Sequence, residues 1–136
     1  MQKIILFLII ITSFAAVGSG QRIEDGSRKT IGYITNGTVE NGSRSTIGYI
    51  DADGRVENGS RSTIGYINKD GRVQNGSRST IGYVNSDGRV ENGSRSTIGY
   101  VNSNGRVENG SRSTIGYAEG VDIRDAALFF FFFFYK

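Results

Sequence analysis

Apolar residues in the main part of the chain follow strand-like runs, and no segment of the repeats shows the 3.6-residue period of a helix. Two runs recur, Arg-Val-Glu and Ser-Arg-Ser-Thr-Ile-Gly-Tyr-Ile/Val, and both are rich in β-branched or aromatic residues. Asn-Gly lies between them and is the strongest short-range signal for a β-hairpin. The pattern therefore predicts hairpins with two-residue turns, whose turn residues are Asn41, Gly42, Asn58, Gly59, Asn75, Gly76, Asn92, Gly93, Asn109 and Gly110.

The hairpin unit is repeated along the chain. The isoleucine of the Ile-Gly-Tyr triplet recurs at Ile31, Ile47, Ile64, Ile81, Ile98 and Ile115, with a spacing of sixteen once and seventeen four times. Short connections between the units require antiparallel neighbours, because a parallel pairing needs a crossover of about a dozen residues. We therefore predict an all-β fold of tandem 17-residue hairpins, arranged radially around a pseudo-symmetry axis. Closure into a ring removes exposed strand edges.

The single shorter spacing predicts the register between units. A two-residue Asn-Gly turn pairs Ile34 with Val39, and a three-residue Ala-Asp-Gly loop pairs Ile50 with Val56. Both loop lengths are common in hairpins. With a two-residue turn inside each unit, Val56, Thr63, Gly65 and Ile67 share one face, and Arg55, Glu57, Ile64 and Tyr66 share the other. Gly65 and its equivalents indicate close approach at a crowded axis, with a bulge or kink as the alternative.

These repeats resemble a known family. The segment NGSRSTIGYI at 41–50, its copies through Tyr117, and AALFFFFFF at 126–134 are similar to the 5-fold β-flower proteins, which are exported bacterial proteins. The resemblance covers almost the whole chain after the first twenty residues. It implies about five to six hairpin blades around an axis and carries over no functional residues.

The two ends of the chain differ from the repeats. A signal peptide is predicted over residues 1–20, from Lys3, the apolar run Ile4–Ile11 and the small residues that follow. The apolar run is too short for a membrane-spanning helix, which needs about 20 apolar residues. An uncleaved anchor helix is the alternative. We expect an exported protein, in the periplasm, on the cell surface or secreted, with a hairpin domain at 21–118 and a C-terminal segment at 119–136.

The C-terminal segment is a run of one leucine and six phenylalanines, Leu128–Phe134. Such a run must be buried, because exposed apolar patches mark interfaces or cause aggregation. It either fills the centre of the hairpin ring or forms a central strand buried on both faces. Insertion into a membrane or a partner, and self-association through Phe129–Phe134, are the alternatives. Phenylalanine and tyrosine favour a strand, and a short helix stays open.

Candidate chemistry is sparse. The chain has no His and no Cys and a formal charge of +3, with acidic and basic residues balanced within the repeats, so we predict no catalytic residue, cofactor, metal or nucleic-acid partner. Glu40, Glu57, Glu91 and Glu108 occupy one repeat position, Gln74 replaces them once, and we expect these side chains to be solvated. Candidate binding residues for a sugar (glycan) or a peptide are Tyr49, Tyr66, Tyr83 and Tyr100, with Arg and Asn at the rim, and ordered packing of the tyrosines is the alternative role.

These observations favour a non-enzymatic exported structural or interaction module, for which the sequence names no function. A cell-surface carbohydrate-binding protein is one alternative. A membrane-associated or fibre-forming protein, driven by the phenylalanine-rich tail, is another.

Overall fold

The computed structural model describes residues 20–135. Residues 1–19, nearly all of the predicted signal peptide, lie outside the described residues. The strands are β1 (Gln21–Asp25), β2 (Thr30–Thr35), β3 (Thr38–Asn41), β4 (Thr46–Ile50), β5 (Arg55–Asn58), β6 (Thr63–Ile67), β7 (Arg72–Asn75), β8 (Thr80–Val84), β9 (Arg89–Asn92), β10 (Thr97–Val101), β11 (Arg106–Asn109) and β12 (Thr114–Tyr117). Helix α1 (Ile123–Ala127) follows and continues into a π-helix (Leu128–Phe133).

The strands form a closed barrel. Each pairs antiparallel with the next one along the chain, and β1 pairs with β12, with Glu24 opposite Tyr117. Consecutive pairs of strands make six hairpins, numbered 1 to 6 in chain order. The predicted all-β fold of hairpins around an axis is thus confirmed, and closure leaves no free strand edge in the sheet.

The predicted register between hairpins is also confirmed. Ile34 lies opposite Val39 across the Asn36-Gly37 turn, where both residues have positive φ, and Ile50 lies opposite Val56 across the longer connection. Val56 and Gly65 share a face, as the pattern predicts, but they are also directly opposite each other in hairpin 3, where a two-residue turn would pair Val56 with Arg61. The prediction that Thr63 shares a face with Val56 is wrong: Thr63 lies opposite Glu57, because Ile64 is an extra, bulged residue in β6.

The inner face of the barrel is lined by one apolar residue on the first strand of each hairpin and one on, or just after, the second. The valines on the first strands are fully buried. The core residues of the wall are Ile23, Ile34, Val39, Ile50, Val56, Ile67, Val73, Val84, Val90, Val101, Val107 and Ala118. Alternation along a strand places polar neighbours of these residues on the outer wall.

The centre of the barrel is filled by the C-terminal segment. Ala126, Ala127, Leu128, Phe129 and Phe130 are buried, and Phe131–Phe134 are half-buried. The segment therefore fills the ring, one of the two forms of burial predicted, but the central strand is wrong because the segment is helical. A strand directs its side chains to two faces only, whereas the barrel wall surrounds the segment.

Each ring of Phe129–Phe134 lies against the glycine of one Ile-Gly-Tyr triplet. A Cβ on Gly65 would meet the Phe133 ring, and a Cβ on Gly82 would lie 2.5 Å from the Phe132 ring. The full set of pairs is Gly32 with Phe129, Gly48 with Phe134, Gly65 with Phe133, Gly82 with Phe132, Gly99 with Phe131 and Gly116 with Phe130. From Phe129 to Phe134, successive rings contact hairpins 1, 6, 5, 4, 3 and 2, one ring for each hairpin.

The wide helical turn follows from this arrangement. An α-helix rotates about 100° per residue, whereas six hairpins around a closed ring are about 60° apart on average. The backbone N–H groups of Phe134 and Tyr135 both donate to the carbonyl oxygen of Phe129, at 3.3 and 2.9 Å, across five and six residues. Widening the turn brings the rotation per residue closer to the spacing of the hairpins. The Phe129 and Phe134 rings, 6.1 Å apart, close the circle.

No helix among residues 20–135 has the length and apolar character needed to cross a membrane.

Candidate functional site

The loops inside the hairpins place an arginine on the outer wall. In hairpin 3 the N–H of Arg61 donates to the Asn58 carbonyl at 3.0 Å, and the N–H of Asn58 donates to the Ser62 carbonyl at 2.9 Å. The loop is therefore the three residues Gly59, Ser60 and Arg61, and the predicted two-residue turn is wrong. A two-residue Asn-Gly turn would need positive φ at both residues, whereas here Arg61 has the positive φ, of 70°, and Asn58 and Gly59 do not.

The Asn-Gly pair has other roles in these loops. The Asn58 Oδ1 accepts hydrogen bonds from the backbone N–H groups of Ser60 and Ser62, both at 3.0 Å. A Cβ on Gly59 would lie 3.1 Å from the Thr46 carbonyl oxygen of the preceding hairpin. Asparagine thus organises the loop and glycine allows close approach. Asn41 and Gly42, Asn75 and Gly76, Asn92 and Gly93, and Asn109 and Gly110 occupy the equivalent positions.

Each loop arginine stacks on a tyrosine of the preceding hairpin. The guanidinium of Arg61 lies 3.6 Å from the centre of the Tyr49 ring, within the range of a cation–π contact. The same stack joins Arg28 to Tyr117, Arg44 to Tyr33, Arg78 to Tyr66, Arg95 to Tyr83 and Arg112 to Tyr100. All four candidate tyrosines, Tyr49, Tyr66, Tyr83 and Tyr100, therefore lie at the boundaries between hairpins, each with one ring face covered by a guanidinium.

A glutamate lies beneath two arginines at most of these boundaries. The Glu57 carboxylate accepts from Arg61 at 3.0 Å and lies 3.5 Å from Arg55, and its side chain is only 6% exposed, against 59% and 48% for the two arginines. The expectation that Glu57, Glu91 and Glu108 are solvated is wrong, because long arginine side chains cover them, and Glu40 is half-buried. We call the set of four side chains at each boundary a seam. It consists of the tyrosine, the first residue of the following hairpin's first strand or its equivalent (Arg55 in hairpin 3), the residue at the glutamate position and the loop arginine.

The six seams are similar but not identical. Four contain Arg-Glu-Arg, with the glutamates Glu24, Glu57, Glu91 and Glu108. Thr38 replaces the first arginine in the seam of Glu40 and Arg44. The seam between hairpins 3 and 4 has Arg72, Gln74 and Arg78, with no glutamate between its arginines.

Hydrogen bonding lowers the pKa of a seam glutamate. The Asn102 side chain and then Arg112 donate to Glu108, and both interactions, together with the positive charge of Arg106, outweigh burial and lower the pKa of Glu108. The Glu57 carboxylate raises the pKa of Arg55. In the Arg-Glu-Arg seams the carboxylates therefore lie inside and the guanidiniums outside.

The connections between hairpins lie at the opposite end of the barrel, where α1 enters. The Arg124 guanidinium donates to the backbone carbonyls of Asn68 and Lys69, and Asp122 caps α1 by accepting from the Arg124 N–H at 2.8 Å. Beside α1 lies a cleft of about 510 Å³. Burial and the neighbouring Asp122 raise the pKa of Asp125, which lines this cleft, to about 6. Residues 20–135 contain no group of His, Cys, Asp or Glu placed to hold a metal ion.

The seam arginines are candidate functional residues that the sequence pattern places only at the rim of the tyrosine surface and does not single out. Each guanidinium has five N–H donors and fits carboxylate, sulfate or phosphate groups. The signal was the repeated pattern Arg-x-Glu-x-x-x-Arg, which reads as balanced charge in the sequence. In the folded chain the glutamates lie beneath the arginines, so the charged groups that these seams expose are mainly guanidiniums.

The fold and this wall define a class: a closed ring of tandem β-hairpins threaded by its own C-terminal helix. The chain matches the family described as 5-fold beta-flower protein over residues 19–134. Because the match spans most of the chain, the protein belongs to that family, and it closes with six hairpins. Comparisons with curated proteins and with solved structures gave no match.

Proposed function

We propose that the protein is a non-enzymatic, exported interaction module that binds its partner through the outer wall of the barrel. The observation that carries this proposal is the filled centre: six phenylalanine rings lie against the inner glycines. Recognition therefore falls to the outer wall and the two ends, and the wall repeats the same arginine-rich seam around the ring.

The arrangement of the glutamates supports a role without catalysis. A carboxylate pair that works as acid and base needs two different environments, so that the two pKa values differ. In the Arg-Glu-Arg seams each glutamate is held by two arginines in nearly the same geometry, with loop arginines at 2.8–3.0 Å. The repeated seam therefore suits repeated contacts with a partner better than a single reaction centre.

A second candidate function is binding of a cell-surface carbohydrate. The observation that favours it is the ladder of tyrosines next to exposed guanidiniums, which combines ring edges with many N–H donors. Because an arginine covers one face of each candidate tyrosine, a sugar would be held mainly by hydrogen bonds to the arginines. Acidic sugars fit this surface best, since charge-assisted hydrogen bonds to guanidinium are the strong ones.

Binding to immobilised envelope polysaccharides of the producing cell, measured by biolayer interferometry, tests the proposal. We expect saturable binding that falls about tenfold or more when Arg55, Arg89 and Arg106 are changed to Gln. A control changes Lys69, which is exposed in a connection at the opposite end and belongs to no seam, to Gln and should leave binding unchanged. Equal loss in both variants, or chemical change of the polysaccharide by the protein, would contradict the proposal.

Export is tested separately, because it depends on residues 1–20. We expect the mature chain, isolated from outside the cytoplasm and analysed by mass spectrometry, to begin at Gln21. A mature chain that retains Met1–Gly20 would contradict cleavage.

A further inference from the structure

The seam between hairpins 3 and 4 differs from its neighbours in one residue that changes its charge. Gln74 occupies the glutamate position, so the seam has two guanidiniums, Arg72 and Arg78, and no carboxylate between them. We propose that this seam is an anion-binding site, in which Arg72 and Arg78 together bind a carboxylate or sulfate group of the partner. The proposal deepens the wall-binding function proposed above by naming the seam and the chemical class of ligand.

The neighbouring seams show what these two arginines are spaced to hold. In the next seam one carboxylate serves both arginines: Glu91 Oε1 lies 2.9 Å from Arg95 and Glu91 Oε2 lies 3.6 Å from Arg89. Two guanidiniums at this spacing can therefore be bridged by a single oxyanion. Bidentate and charge-assisted contacts of this type are the strongest that arginine makes.

Gln74 cannot replace that carboxylate. The Arg78 Nη1 donates to the Gln74 Oε1 at 3.3 Å, and the Gln74 Nε2 turns back to donate to the Arg78 carbonyl at 3.2 Å. The amide is neutral and uses one of its two groups on the backbone. Within residues 20–135, no salt bridge involves Arg72 or Arg78.

The other groups around the seam do not supply the missing charge. The Asp70 carboxylate accepts from the backbone N–H of Arg72 at 3.1 Å, as Asp87 does from Arg89 at 3.0 Å in the next seam. Asn68 and Asn85 hold equivalent positions. The two seams therefore differ at Gln74 against Glu91, which makes the second seam a built-in control.

Both arginines are accessible and one is fixed in place. Arg72 and Arg78 are exposed, whereas Gln74 is buried beneath them. The Arg78 guanidinium stacks on Tyr66, 3.7 Å from the centre of the ring, and the Arg78 backbone has a φ of 69°. Because Gln74 fills the space that glutamate fills elsewhere, the external anion binds on its solvent side and bridges the two guanidiniums. Preorganised donors of this kind reduce the entropy lost on binding.

The test uses three folded proteins: the wild type, Gln74→Glu and Glu91→Gln. Each is titrated with sodium sulfate and, separately, with glucuronate, while the arginine side-chain resonances are followed by NMR. We expect saturable shifts of Arg72 and Arg78 in the wild type, weakened about tenfold or more in Gln74→Glu. In Glu91→Gln a second set of saturable shifts should appear at Arg89 and Arg95. The anion that binds more tightly identifies the source of the oxyanion: sulfate indicates a sulfate ester and glucuronate indicates an acidic sugar.

Thermal unfolding in the same anions gives a second readout. Sulfate stabilises folded proteins in general by exclusion from their surface, so the informative quantity is the difference between variants. The increase in Tm should be largest for Glu91→Gln, intermediate for the wild type and smallest for Gln74→Glu, as binding to the folded state requires.

Equal shifts in the wild type and Gln74→Glu would overturn the proposed site, and so would the absence of new shifts in Glu91→Gln. These results are independent of the wall-binding proposal. If the wild type and Gln74→Glu bind polysaccharide equally, the seam of Gln74 is not the binding site, but binding by the wall still stands. Conversely, a wild type that binds no polysaccharide refutes carbohydrate binding by the wall, while the sulfate titration still reports on the seam.

Discussion

The pairing of one ring with one glycine predicts a specific energetic coupling between Gly82 and Phe132. A Cβ on Gly82 would lie 2.5 Å from two atoms of the Phe132 ring and 2.5 Å from the Glu91 carbonyl oxygen. Overpacking of this kind costs about 1–3 kcal/mol. A second effect partly offsets this cost. Since Gly82 has a negative φ, alanine fits the backbone and lowers the entropy of the unfolded chain, which stabilises the folded protein by about 0.4–1 kcal/mol. We expect Gly82→Ala to lower the free energy of unfolding by about 1–2 kcal/mol.

A double-mutant cycle isolates the part of this loss that involves the ring. In Phe132→Ala the space beside Gly82 is empty, so adding Gly82→Ala should cost less by about 1 kcal/mol or more, within the range for contacting residues. The contact with the Glu91 carbonyl is the same with and without the ring and cancels in the cycle. Urea unfolding of the four proteins, followed by circular dichroism, gives the four free energies.

The control cycle pairs Gly82→Ala with Phe133→Ala, whose ring lies against Gly65 in the neighbouring hairpin. Here we expect the two losses to add within about 0.5 kcal/mol. Coupling of the same size in both cycles would refute the one-ring-per-hairpin reasoning, because it would indicate a general loss of packing. A Gly82→Ala protein as stable as the wild type would refute the close approach itself.

Three further predictions concern the tail and the charged groups. A chain ending at Asp125 loses the burial of Leu128, Phe129 and Phe130, each worth about 1.5–3 kcal/mol, so urea unfolding should show a much lower midpoint than a control lacking only Lys136; an unchanged midpoint would exclude a stabilising tail. The raised pKa of Asp125 favours the folded state below about pH 4, an advantage lost as the pH rises towards 6, so Asp125→Asn should be more stable than wild type at pH 8 but not at pH 3.5. The lowered pKa of Glu108 has the opposite effect on stability: its stabilisation is present above the usual glutamate pKa and is lost as the pH falls through the pKa of the folded state. Glu108→Gln should therefore be less stable than wild type at pH 7, and the difference should shrink in acid. Constant differences across pH would contradict either assignment.

The hairpin order and the register between units could be predicted from the sequence because two loop lengths gave the same cross-strand pair. Ile34–Val39 and Ile50–Val56 are aligned by connections that differ by one residue. Only one register keeps both pairs, so the comparison of repeats carried information that a single hairpin lacks.

The loop geometry was mispredicted because glycine has more than one use. The Asn-Gly pair at 36–37 does form the predicted two-residue turn with positive φ, whereas the pair at 58–59 belongs to a three-residue loop. Gly59 is needed there for close approach to the Thr46 carbonyl of the preceding hairpin. A contact between hairpins thus overrides the local turn preference, and local sequence does not reveal it.

The burial of the tail in the centre of the ring is predicted correctly, but its helical form and the seams do not follow from the sequence, for a related reason. Phenylalanine favours strands in general, but a wall on all sides requires side chains that radiate from one axis, which a wide helix supplies. Alternation correctly placed Glu57 on the outer face, yet it did not show that Arg55 and Arg61 cover it. Each seam joins the arginines and glutamate position of one hairpin to a tyrosine of the preceding hairpin. The sequence signal of the anion site is one substitution, Gln74, among repeated glutamates.

The number of rings and the number of hairpins are equal, and this equality is the central claim about the fold. Deleting residues 89–105 removes hairpin 5 and one connection and joins Gly88 to Arg106, which preserves the Gly-Arg joint found between other repeats. Phe131 is the ring that contacts Gly99 of the deleted hairpin. The most direct test compares the free energy of urea unfolding of this five-hairpin chain with and without Phe131. We predict that the matched chain, with five hairpins and five rings, is the more stable of the two, whereas deleting Phe131 from the six-hairpin chain lowers stability. If the five-hairpin chain is equally stable or more stable with all six rings, the tail does not match the hairpins one to one and the account is contradicted.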